Sequence, residues 1–131
     1  MISITEKSFD KDMNLIHPSL SKGKTLVLFF SPRCPHCTKF KPSYSEASGK
    51  LNGVKFALID TSETPILDII NSNTGKREYL VDGVPTLVSY LNGKYYSTYG
   101  PAQDNTGPAF RSVDDVIIYA KGIGKDPIIW Q

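Results

Sequence analysis

Apolar positions along the chain fall into short blocks separated by polar stretches, and the spacing inside each block sets its element. The densest block is Thr25-Leu26-Val27-Leu28-Phe29-Phe30. A continuous apolar run of this length predicts a strand buried on both faces. Val54 to Asp60 predicts a second buried strand and Val84 to Leu91 a third. Asn92-Gly93 is the strongest short signal for a hairpin, leading into a strand from Lys94 to Tyr99. Ile2-Ser3-Ile4-Thr5 reads as a short strand at the start.

Helical spacing appears in four places. Ser8 to Ile16 carries Phe9, Met13 and Ile16 at i, i+4, i+7, and His17-Pro18 ends it. Thr38-Lys39-Phe40-Lys41-Pro42 opens a pattern that continues to about Lys50, with Pro42 placed to kink it. Thr64 to Ile70 has Pro65 in its first turn. Val113 to Lys121 follows the cap Ser112, has Asp114 and Asp115 in its first turn, and is stopped by Gly122 and Gly124. The polar stretch from Asn71 to Glu78 and the Pro/Gly-bearing stretch from Gly100 to Ala109 read as loops.

The predicted order is therefore β-α-β-α-β-α-β-β-α. Parallel βαβ units followed by an antiparallel hairpin place the chain in the α/β class, with a mixed central sheet and helices on both faces. A length of 131 residues fits one domain, 1–131, large enough to build a core without covalent staples. The net charge of +2 is too small to argue for nucleic acid or an anionic membrane as partner. No apolar run approaches the roughly 20 residues of a membrane-spanning helix. The N-terminal residues lack the basic and apolar regions of a signal peptide, and Asp126 to Gln131 is no retention signal. The expected compartment is the cytoplasm.

The chemistry concentrates in Ser31-Pro32-Arg33-Cys34-Pro35-His36-Cys37, directly after the densest apolar run, and these are the only two cysteines in the chain. Pro35 suits the first turn of a helix, where its missing N–H has no partner to lose. Cys34 then stands at or just before a helix N-terminus, where unpaired N–H groups and the dipole favour a thiolate. Cys34 is the expected nucleophile and Cys37, one turn further in, the resolving thiol. His36, when protonated, would stabilise the neighbouring thiolate, and Arg33 acts in the same direction through a screened, exposed charge. Zinc normally takes four ligands, and only His17 and His36 remain as strong candidates, so no metal is expected. No organic cofactor is implied. A dithiol that cycles implies a redox partner, an unidentified reductase or oxidase.

These segments resemble the thioredoxin superfamily. Ser8-Phe9-Asp10 lies before the first core strand, as such a stretch often does in thioredoxins. Phe29 to Pro42 is similar to the redox segment, Gly83-Val84-Pro85-Thr86 to the segment holding a cis-proline, and Tyr90-Leu91-Asn92-Gly93 to the last hairpin. The likeness runs from about Ile2 to Ile123. Pro42-Ser43-Tyr44-Ser45-Glu46-Ala47 and the run from Tyr99-Gly100 to Asp115 resemble a catalytic domain of protein disulfide isomerase, whereas Pro35-His36 between the cysteines resembles a bacterial oxidant of the DsbA kind.

The resemblance implies a thioredoxin fold and thiol-disulfide exchange. It also implies a cis bond before Pro85 that exposes the backbone of Val84 to an extended substrate, and a tuning role for Arg111 near the second cysteine. The chain departs from the pattern at Leu28, where thioredoxins carry a buried Asp and isomerase domains a Glu. It departs again at Arg33, which replaces the usual tryptophan, and in the longer segment between Asp60 and Pro85.

The expected function is a monomeric thiol-disulfide oxidoreductase acting on proteins. A glutathione-dependent, glutaredoxin-like enzyme and a non-enzymatic binding module are the alternatives. Ile128-Ile129-Trp130 reads either as a tail tucked over a core edge or as an exposed anchor for a partner.

Overall fold

The computed structural model describes residues 1–66, 69, 84–99 and 112–124. Five strands form one sheet: β1 (Ile2–Ile4), β2 (Lys24–Phe30), β3 (Val54–Asp60), β4 (Thr86–Leu91) and β5 (Lys94–Tyr99). Their order is β1-β3-β2-β4-β5. The first three run parallel, and β4 and β5 run antiparallel to their neighbours. The dense apolar run thus becomes the central strand. Leu26, Leu28 and Phe30 point to one core layer, while Val27 and Phe29 point to the other. All five are buried, which is what the unbroken apolar pattern of β2 requires.

Two helices cover the first face. Helix α1 (Pro35–Lys50) buries Cys37, Phe40, Tyr44 and Ala47, and helix α2 (Val113–Lys121) buries Val116 and Ala120. The hydroxyl of Tyr44 lies 2.9 Å from the carbonyl oxygen of Leu26 on β2 and 2.8 Å from that of Ala57 on β3, so it anchors α1 over two strands at once. Helix α1 runs through Pro42, whose lack of an N–H leaves one rung of the ladder unmade. Ser112 caps α2 by accepting the Asp115 N–H at 3.1 Å, as the sequence predicts.

The opposite face is covered differently from expectation. Ser8 to Ile16 is not a helix. A 3-10 turn at Glu6–Ser8 is followed by irregular chain, with a lone β-bridge between Phe9 and Leu15. Asp10 explains the change. Its carboxylate accepts the N–H groups of Asp12 (2.9 Å) and Asn14 (2.8 Å) and the Asn14 side-chain amide (3.1 Å). Such local side-chain bonds compete directly with helical ones. Met13 takes a left-handed φ of 65°, Phe9 and Met13 are still buried, and Ile16 ends 51% exposed. Leu15 and Leu20 fill the layer alongside Ile66. Of the expected helix at Thr64 to Ile70, Ile66 and Ile69 are helical and the Ile69 N–H bonds the Pro65 carbonyl at 3.1 Å; most of the remainder lies outside the described residues. The expected loops at Asn71 to Glu78 and Gly100 to Ala109 lie outside them as well.

The Asn92-Gly93 turn ties the sheet to the segment before β2. Both residues have positive φ, 53° and 80°, the combination a two-residue hairpin turn requires. Asn92 exchanges hydrogen bonds with Gly23, one through its backbone and one through its side chain, both 2.8 Å. The Gly93 carbonyl accepts the Leu15 N–H. The hairpin therefore pins the irregular segment to the sheet.

Candidate redox site

The site is built where β2 runs out. The Thr61 N–H and hydroxyl both bond the Phe30 carbonyl, at 2.8 and 3.1 Å, closing the strand end. The next residues form a turn: Ser31 accepts the Arg33 N–H on its hydroxyl at 3.2 Å and the Cys34 N–H on its carbonyl at 3.1 Å. This turn delivers Cys34 to the N-cap of α1 in an extended backbone conformation, with Pro35 as the first helical residue.

The two cysteines are free and adjacent. The Cys37 N–H donates to the Cys34 sulfur at 3.2 Å, so the cap of this helix is a thiol where most helices use a hydroxyl or carboxylate. The Cys34 thiol in turn donates to the carbonyl oxygen of Val84 at 3.6 Å. The Val84–Pro85 peptide bond is cis and lies beside the dithiol, 50 residues away in sequence. Arg33, Pro35 and His36 are exposed around the half-buried Cys34. No acidic residue occupies the first turn of α1. Arg111 lies outside the described residues.

Cys37 lies deeper than Cys34 in the same layer. It is 0% exposed and shares its layer with Leu26, Leu28, Phe40, Tyr44 and Leu87. Burial first, and then its hydrogen bond with the Cys34 thiol, push the Cys37 thiol up to about 12. Leu28 is fully buried between Leu58 and Leu87 in the strand register. Among the described residues no Asp, Glu, Lys, Arg or His is buried. The described residues hold no cluster of three metal-ligating side chains and no helix long and apolar enough to cross a membrane.

The sequence had pointed to Cys34, Cys37, Val84 and Pro85, and the structure brings these four together. Two contributors were missed. Ser31 shapes the turn before the nucleophile, a role its place beside Pro32 could have suggested. Tyr44 fixes the helix that carries both thiols. It lies seven residues after Cys37, on the same face, within the buried series 37, 40, 44, 47.

Comparison with known proteins agrees with this fold. The family model described as Thioredoxin matches residues 1–107. Protein disulfide-isomerase A3 of Gallus gallus is 32% identical over a stretch covering 78% of this chain and 21% of its own length. A thioredoxin domain-containing protein of Theileria parva is 31% identical, covering 76% of this chain and 42% of its own. The chain therefore spans less than half the length of these relatives. The crystal structure of human ERp44 superposes with a TM-score of 0.62 at 22% identity, covering 91% of this chain and 31% of that one, which shows a common fold.

Proposed function

The chain belongs to the thioredoxin family, and on that premise we propose that it is a thiol-disulfide oxidoreductase acting on protein disulfides or dithiols through Cys34 and Cys37. The observation carrying this reading is the 3.2 Å contact between the Cys37 N–H and the Cys34 sulfur at the start of α1. A negative sulfur there gains a charge-assisted hydrogen bond and the favourable end of the helix dipole.

In the reductive direction, the Cys34 thiolate attacks one sulfur of a substrate disulfide. A Cys34–substrate disulfide forms, and the other substrate sulfur leaves as a thiolate that takes up a proton. Cys37 loses its proton and attacks the Cys34 sulfur, forming the Cys34–Cys37 disulfide and releasing the second substrate thiol. Two electrons have passed from the dithiol to the substrate. The reverse sequence oxidises a substrate dithiol. The Val84 carbonyl, 3.6 Å from the attacking sulfur, serves as a backbone partner for an extended substrate segment. Arg33, exposed beside Cys34, supplies positive charge near the attacking sulfur. A chain whose only cysteines are these two suits a reducing compartment such as the cytoplasm.

The test is turnover of a protein disulfide in the presence of a dithiol reductant. Cys34→Ser should abolish turnover while leaving the far-ultraviolet circular dichroism unchanged. An undiminished rate in that variant would remove the enzymatic reading.

A further inference from the structure

A groove of about 420 Å³ lies between β5 and α2, lined by Tyr96, Thr98, Tyr99, Ile118, Tyr119 and Ile123. Its wall on α2 includes Ile118, which is 69% exposed and is one of the three large apolar side chains left most open among the described residues. Its other wall is the last strand in the sheet order, so no further described strand screens it. The floor is stiff. Tyr119 packs against Tyr99 with the rings tilted by 54° and their centroids 4.8 Å apart, and its hydroxyl joins Ser97 (2.7 Å) and Ser89 (3.2 Å) in a closed network. Tyr96, the extra residue where the β4–β5 register shifts, has a buried hydroxyl with no hydrogen-bond partner among the described residues. The groove is therefore apolar and rests on a hydrogen-bonded floor.

The chain itself carries an occupant of matching chemistry. It leaves α2 beside the groove, since Gly122 and Ile123 line it, and Gly124 turns with a left-handed φ of 77°. Lys125-Asp126-Pro127-Ile128-Ile129-Trp130-Gln131 follows. Ile128 to Trp130 stand four to six residues beyond Gly124, a reach of about 13–20 Å at ~3.3 Å per residue. Ile118 lies three residues before the end of α2, about 4.5 Å at ~1.5 Å per residue, and Gly122 to Gly124 turn from there. The tail can thus return over the groove. The stretch joining β5 to α2 is a poorer fit: its one large apolar residue, Phe110, precedes the cap at the opposite end of α2.

We propose that the Ile128-Ile129-Trp130 segment docks in the groove between β5 and α2 of its own chain, covering Ile118. Trp130 is the chain's only tryptophan, so its fluorescence reads the docking directly. In the full chain, selectively excited emission should be blue-shifted and less quenched by acrylamide than in the urea-unfolded protein, at every protein concentration. Ile118→Asp, on an exposed helix position, should shift the emission to the red and raise quenching several-fold with the circular dichroism unchanged. Ile118→Leu should leave both as in the parent. Three results would each overturn the proposal: emission already like that of the unfolded chain, emission insensitive to Ile118→Asp, or a blue shift that vanishes on dilution. The last would assign the groove to the tail of a second copy.

Discussion

At the scale of single residues, the two thiols of the motif have opposite surroundings. Cys34 sits half-buried at a helix start, while Cys37 is enclosed by aliphatic and aromatic side chains and holds its proton to about 12. In the proposed cycle, release of the mixed disulfide requires the Cys37 thiolate, and the leading cause of that shift is burial rather than the neighbouring thiol. Because the shift is upward, the thiolate fraction at neutral pH is small and grows about tenfold per pH unit until the pKa is approached. The release rate should climb accordingly between neutral and mildly alkaline pH, measured by stopped-flow decay of a preformed adduct; a flat profile would mean that a proton acceptor reaches Cys37. Leu28→Glu places a carboxylate in the layer below the thiol and should accelerate release at neutral pH, at some cost in stability for a buried charge. The cysteines were legible in the sequence because their chemistry lies in residue type and spacing, whereas Val84-Pro85 was legible only through the resemblance to the thioredoxin superfamily. The enclosure of Cys37 was also written there, in the apolar positions 37, 40, 44 and 47, but it appears only when the helix is seen as packed against β2.

At the scale of elements, the strands followed from pattern because a run buried on both faces leaves few alternatives. The segment from Ser8 to Ile16 failed because its apolar spacing fits a helix while Asp10 offers its backbone better local bonds. A periodicity count has no access to that competition. Two contacts between elements matter most. Tyr44→Phe removes the hydroxyl that faces the carbonyls of Leu26 and Ala57, and should lower stability by about 1–3 kcal/mol in urea denaturation, since a buried acceptor loses its donor. Gly93→Ala should be more disruptive than an ordinary surface change. A Cβ at Gly93 would meet the Leu15 carbonyl oxygen at 2.6 Å, on a backbone with φ of 80°. Loss of stability in this variant without loss of Cys34 reactivity would show the hairpin to be a structural clasp remote from the chemistry.

At the scale of the whole molecule, the sheet serves to hold two sequence-distant pieces, the helix start at Cys34 and the backbone at Val84, within 3.6 Å. The first turn of α1 carries no acidic residue to oppose negative charge on a sulfur at the helix N-terminus. The disulfide should therefore be a stronger oxidant than thioredoxin's, by roughly 50–100 mV above the thioredoxin potential of about −270 mV. Equilibration with glutathione buffers checks this, and a potential at or below thioredoxin's would contradict it. The central claim, that Cys34 attacks protein disulfides and Cys37 completes the exchange, is tested most directly by stopping the cycle halfway. Cys37→Ser, with Cys37→Ala as a second variant to allow for its buried position, should accumulate protein partners joined to Cys34 by disulfides that survive denaturation and dissolve with reductant. Mass spectrometry of that material should find protein cysteines on Cys34. Glutathione alone on Cys34, or no adduct on a folded protein whose Cys34 still reacts with a small thiol reagent, would contradict it.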